Sequence, residues 1–260
     1  MNKIIFKNNE INLVETDDLI EVSLSDKYEL FDIKKIIIKV LNNTELEIEY
    51  KNNLETKLEI NFLINDNVNF KLTEIREENK IKISSKYDIG ENSKVDVIKF
   101  YDVKETKELD LINLNGINST INYNFKTIAH EKQKYDLYVY HNYPNTESNI
   151  INNSVNLDNG TTIFNVTSVV YSGITNCNLN QANKIINLND KECIINPNLL
   201  IEENDVTANH SAHIGNFSED IIFYLMSRGI DRDSAISLLI KGFLNTDNPK
   251  IEEIINKYWR

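Results

Sequence analysis

What most constrains this chain is a phase. Leu46, Ile48 and Tyr50 alternate with Glu45, Glu47 and Glu49, and Leu58, Ile60 and Phe62 alternate with Glu59 and Asn61. A period of two places successive side chains on opposite sides of an extended backbone, so these runs read as strands with one apolar and one polar face. The pattern returns at Ile81/Ile83, Val95/Val97, Ile121/Tyr123/Phe125 and Leu137/Val139. Between the runs stand Asn, Asp, Ser and Gly, which favour turns by bonding their own backbone or tolerating positive φ. From residue 30 to 207 no helical period persists beyond two turns, and only three prolines are present in the chain to interrupt a ladder. Many short strands at fairly regular spacing fit a sandwich, a barrel or a solenoid, and periodicity alone does not choose. Asn at the turns suits stacked coils whose side-chain amides ladder; it follows equally from an AT-rich coding sequence.

After His213 the pattern changes to a helical one. Ser218 is placed to cap a helix with Glu219 and Asp220 in its first turn, where carboxylates favour the positive end. Ile222, Leu225 and Met226 line one face, and Gly229 sits where a left-handed C-cap is needed. Asp231 caps a second helix bearing Ala235, Ile236, Leu239, Ile240 and Phe243, apolar enough around its circumference to require cover on more than one side. Asn248-Pro249 opens a third, with Ile251, Ile254, Ile255 and Tyr258 at helical spacing. The expected division is a β domain over residues 1–215 and a small helical domain over 216–260.

Charge and cysteine content narrow the function. The net charge is −12, and residues 218–260 carry six basic and seven acidic side chains, which leaves about −11 on the rest. A nucleic acid or an anionic membrane is therefore not an expected partner. Two cysteines, Cys177 and Cys193, are too few for a disulfide framework. The opening apolar run is too short for a signal peptide, and no later run of about 18 apolar residues spans a membrane. The expectation is a soluble cytoplasmic protein. With seven glycines and no G-x-x-x-x-G-K-[ST] loop, the chain has no P-loop for ATP hydrolysis, and no Gly-x-Ser-x-Gly elbow occurs.

Two segments carry a resemblance. IINPNLLIEENDVTANHSAHIGNFSEDIIFYLMSRGI, residues 194–230, and HNYPNTESN, residues 141–149, together resemble the SufB/SufD proteins of the SUF iron–sulfur cluster assembly system. Phe164 and Gln181 also fall at positions of the family pattern. The likeness is good over residues 135–245 and one of style further upstream. It implies a mainly β protein: a right-handed parallel β-helix followed by a small C-terminal helical domain. It further implies a scaffold subunit, not an enzyme, that pairs with a SufB/SufD-type chain or with itself and docks a SufC-type ABC ATPase through the C-terminal helices. The chain resembles a short, SufD-like form without the family's N-terminal helical segment.

The resemblance also assigns residues. His210 matches the family's interface histidine, a candidate iron or cluster ligand, while His213 and a lone His-x-x-His spacing are weak signals. Cys193 is a weak second candidate, because the family's key cysteine position is occupied here by Ile201. Phe223, Tyr224, Arg228, Ile236, Leu239, Ile240 and Phe243 form the candidate partner-binding set. No stably bound cofactor is expected beyond a transient iron–sulfur cluster. His141, Pro144, Asn145 and Thr146 read as turn chemistry, and His130 has no evident partner. Two other readings stay open: a β-solenoid enzyme acting on polysaccharide, by analogy of fold alone, and a purely structural adaptor.

Overall fold

The structure, a computed structural model, describes residues 2–7, 10–15, 17–28, 33–244 and 247–259. Its centre is three long strands, β5 (Thr44–Ile64), β6 (Asn69–Ile89) and β7 (Lys94–Leu114), each of which serves two sheets. Lumen-facing residues are even-numbered through Phe70, Leu72 and Glu74 but odd-numbered through Ile81, Ile83 and Ser85. This one-residue slip of phase lies at the bend, where the chain passes from the first sheet to the second. Later coils break the same path into pairs: β8 (Thr120–Ala129) with β9 (Lys132–His141), β10 (Glu147–Asn156) with β11 (Thr161–Val170), and β12 (Cys177–Asn187) with β13 (Ile194–Ile201), before β14 (Val206–Gly215).

All of these pair in parallel. In the first sheet one inward column runs Leu46, Leu72, Val97, Tyr123, Ile150, Gln181, His210, one residue per rung. In the second it runs Leu58, Ile83, Glu108, Tyr135, Phe164, Ile195. The chain is thus a parallel β-solenoid, as expected, and the inward columns of its two sheets form one apolar cluster from Ile4 to Ile185.

The turns explain the asparagines. Asn67, Asn92, Asn118, Asn145 and Asn176 all adopt positive φ between 53° and 60°, a conformation that Asn tolerates better than branched residues. They stack from rung to rung: Asn92 Nδ2 donates to Asn67 Oδ1 (3.3 Å), Asn118 Nδ2 to Asn92 Oδ1 (2.8 Å), and Asn176 Nδ2 to Asn145 Oδ1 (2.7 Å). Of the two sequence-level explanations for Asn, laddering is a physical fact of this fold.

The two ends of the stack differ. On the N-terminal side β1 (Asn2–Lys7) and β4 (Ile33–Val40) pair in parallel with β5, and each is flanked by an antiparallel strand, β2 (Glu10–Glu15) and β3 (Ile20–Tyr28) respectively. On the other side, β13 pairs only with β11 and β14 only with β12 among the described residues. Three helices follow: α1 (Glu219–Ser227), α2 (Arg232–Leu244) and α3 (Pro249–Tyr258). Ser218 caps α1 by accepting from Asp220 N, and Gly229 takes φ +88° just beyond its end. Helices α2 and α3 lie on the outer face of the first sheet. There Ile240, Leu244, Ile251, Ile254, Ile255 and Trp259 join Ile75, Phe100, Ile128, Val155 and Ile186 in a second apolar cluster.

Candidate functional site

Among the described residues, the inward face of the last rung has no further parallel layer over it. Strand alternation directs Ile195, Pro197, Leu199 and Ile201 of β13, and Val206, Ala208, His210, Ala212 and Ile214 of β14, to the lumen side. The corresponding positions one rung below are buried, whereas these are half-buried or exposed. His210 is exposed and in register with buried Gln181; His213 is exposed in the opposite register, paired with Lys184. Cys193 is half-buried at the start of β13, its Sγ accepting from Asn156 Nδ2 at 2.9 Å. Cys177 is buried in a small cluster beneath Val206 and Ala208. Among the described residues, no three His, Cys, Asp or Glu side chains gather closely enough to hold a metal ion.

Deeper in the lumen lies a charged network that the sequence reading missed. Glu74, Arg76, Lys99, Glu108 and Asp110 are all at most 3 % exposed. Lys99 Nζ donates to Glu108 Oε1 (2.7 Å) and Asp110 Oδ2 (2.6 Å), and Arg76 to Glu74 (2.6 Å) and Glu78 (3.0 Å). Arg76 also lies 3.4 Å from the Tyr50 ring centroid, and Tyr101 and Tyr123 hydroxyls donate to Glu108 and Asp110. Burial pushes Glu108 up to about 8 despite Lys99 beside it; burial also pulls on Glu74, but Arg76 and Lys99 outweigh it and hold that carboxyl down. The signal was present in the sequence: Glu74, Arg76 and Glu78 continue the parity of Phe70 and Leu72, so strict alternation directs them inward.

Two other histidines are held by partners within the fold. His141 is fully buried, its ring nitrogens bonded to Thr146 Oγ1 (2.7 Å) and Ser148 Oγ (2.9 Å), and burial lowers it to about 4. The HNYPNT stretch is thus turn chemistry, with Asn145 at φ 59°. His130 bridges Asp102 (3.0 Å) and Asp158 (3.2 Å), and Tyr258 of α3 donates to the same Asp102. Lys250 binds Glu47 and Glu49, and Lys257 binds Glu77, so α3 is tied to the sheet at both ends.

The helices present an uneven surface. On α1, Ile221 (48 %), Phe223 (62 %) and Tyr224 (58 %) are exposed, with Leu238 (50 %) on α2. Arg228 is exposed with its guanidinium 5.3 Å from the Tyr224 ring centroid. Ile236, Leu239 and Phe243 are half-buried, and Ile240 is fully buried against the sheet. Of the seven side chains singled out from sequence, Phe223, Tyr224 and Arg228 reach solvent most fully, and Ile240 faces inward.

These features define a parallel β-solenoid whose terminal rung is bare and whose outer face carries a helical cap. A family profile described as "SUF system FeS cluster assembly, SufBD core domain" matches residues 33–243, and the chain belongs to that family. It is 38 % identical to the iron–sulfur cluster assembly protein SufD of Bacillus subtilis over 100 residues, which are 38 % of this chain and 23 % of that protein. A SufBD family protein of Archaeoglobus fulgidus is 39 % identical over 61 residues, 24 % of this chain and 16 % of the relative. Another, from Mycobacterium bovis, is 31 % identical over 109 residues, 39 % of this chain and 12 % of the relative. The matched part thus spans about a quarter or less of each relative. No helix among the described residues is long and apolar enough to cross a membrane.

Proposed function

We propose that this chain is a non-catalytic scaffold subunit of a cytoplasmic iron–sulfur cluster assembly complex. The observation that carries the reading is the bare last rung with His210 in its inward register. The free edges of β13 and β14 offer unpaired backbone groups to a second solenoid, either a SufB/SufD-type chain or another copy. Such pairing brings His210 to the junction, where imidazole suits iron. One imidazole holds no cluster by itself, so the remaining ligands come from the partner chain or from sulfide. Cys193, half-buried and bonded to Asn156, is the weaker candidate. The exposed face of α1, with Leu238 of α2, is the docking surface for a SufC-type ABC ATPase, which supplies the nucleotide hydrolysis this chain has no P-loop to perform.

The polysaccharide-enzyme reading loses support from the position of the carboxylates. Glu108 and Asp110 are sealed in the lumen and bound to Lys99, and Glu47 and Glu49 are engaged by Lys250, so neither pair is free to flank a sugar. The scaffold reading is tested by His210→Ala beside His213→Ala, with iron–sulfur content measured in complexes purified from the source cell. Loss of cluster with His210→Ala alone, at unchanged thermal stability and pairing, is the expected result. If His210→Ala matures clusters as well as wild type, the chain is an adaptor without a ligand role.

A further inference from the structure

The rung beneath His210 contains a buried amide, that of Gln181. Gln181 is 1 % exposed, on the lumen side of β12 and in parallel register with His210, so the two side chains leave neighbouring strands about 4.8 Å apart on the same face. Its Nε2 donates to Ser168 Oγ (2.8 Å) and to the Asn198 carbonyl (3.2 Å). A carbonyl only accepts, so Asn198 fixes which way the amide faces. Gln181 Oε1 is therefore turned elsewhere, and among the described residues it is a buried acceptor with no hydrogen-bond partner. A native structure rarely leaves such an atom unsatisfied without a reason.

Among the described residues the other unsatisfied donor on this face is Asn183 Nδ2, two positions along β12, and the neighbouring rung offers a closer-facing one. On β14 the inward positions flanking His210 are Ala208 and Ala212, whose methyl groups donate nothing and leave space around the ring. Imidazole carries an N–H in either neutral tautomer, and it is the one inward side chain between Ala208 and Ala212. We propose that Gln181 is a positioning residue for His210. When a partner edge covers the last rung, one ring N–H of His210 donates to Gln181 Oε1. That bond selects a single tautomer and turns the lone pair of the other nitrogen toward the junction, as outer partners do for metal-binding histidines generally. The inference rests on the reading of His210 as a ligand and adds the group that aims it.

The test uses the assembled complex with wild type, Gln181→Leu, Gln181→Glu and His210→Ala. Both Gln181 substitutions lose the donors to Ser168 and Asn198, but only leucine loses the acceptor. Gln181→Leu should lower cluster content by about 10–100-fold, the usual effect of removing an outer partner, and alter the nitrogen hyperfine coupling of any residual reduced cluster. Gln181→Glu should retain both. Equal impairment by leucine and glutamate would assign Gln181 a purely structural role, and an unimpaired leucine variant would overturn the proposal outright. The underlying reading fails separately, through a fully active His210→Ala. Should Gln181→Leu not fold, the wild-type complex labelled with 15N-histidine decides: one hydrogen-bonded tautomer at His210 supports the proposal, and a mixture of tautomers refutes it.

Discussion

Glu108 holds a proton that the unfolded chain gives up. Burial raises it from 4.5 to about 8, so between those values the folded state binds more protons than the unfolded one. Its stabilising contribution is complete below about 4.5, declines as pH rises, and is gone above about 8. Gln in its place mimics the protonated carboxyl at every pH. Glu108→Gln should therefore gain stability relative to wild type between pH 5 and pH 9, by an amount on the order of a few kcal/mol, in denaturant titrations at the two values. An identical pH dependence in the two proteins would place the proton elsewhere in the network. This lumen chemistry was only half legible from sequence. Alternation carried on from Phe70 and Leu72 would have placed Glu74, Arg76 and Glu78 inside, but the sequence reading did not extend it; which rung stacks on which depends on coil length, and only that brings Lys99 to Glu108 and Asp110. His210 was legible through its motif, whereas Gln181, a position of the same family pattern without an assigned role, became informative only once its Oε1 proved to have no partner among the described residues.

Helix α3 works as a clamp laid across several rungs. Ile251, Ile254, Ile255 and Trp259 bury its apolar side, and each such side chain contributes roughly 1.5–3 kcal/mol on full burial. Its far end depends on His130, which Asp102 holds above its usual 6.5 against the opposing effect of burial, with Asp158 assisting. The sign follows: the contribution of charged His130 is complete below about 6.5 and is lost as pH rises through the raised folded value. Limited proteolysis near Tyr258 should accelerate as pH rises above neutrality in wild type and change much less in His130→Gln. A wild-type rate independent of pH would sever the histidine from the clamp. Helix α1 behaves differently, because its apolar residues face outward. If α1 is the proposed dock, Phe223→Asp should weaken binding of a SufC-type ATPase at least tenfold in pull-down or calorimetry, with folding intact, since an exposed substitution usually changes stability by within about 0.5 kcal/mol. Undiminished binding would move the docking site off α1. A point change is the better probe here, because deleting residues 219–260 would also uncover Ile75, Phe100, Ile128, Val155 and Ile186. The helices themselves were readable from Ser218, Gly229 and Asn248-Pro249, since caps are local. Which face each one buries was not, because that is set by the sheet beneath.

At the scale of the molecule, alternation established strands, while the parallel stacking came from the motif resemblance; the asparagine ladders explain why stacking succeeds with so few glycines. The proposed junction predicts association through the last rung alone. Replacing Ala208 and Ala212, whose backbone N–H groups alternate with those bound to β12 and so face the free edge, with proline should abolish pairing in analytical ultracentrifugation by removing donors at that edge. Pairing that survives both prolines would exclude that edge. The unequal ends have a consequence for growth. A rod whose ends were both open parallel rungs could add units indefinitely, head to tail, and would be a monomer for a filament. In this solenoid the parallel stack opens outward at one end, and at the other it finishes in strands that run against it. Joined at the open end as proposed, two such rods would leave antiparallel strands outermost, where a further rod meets a ladder of the other direction. In polymer terms the proposed pair would then be a chain that has stopped growing by its parallel mode of addition.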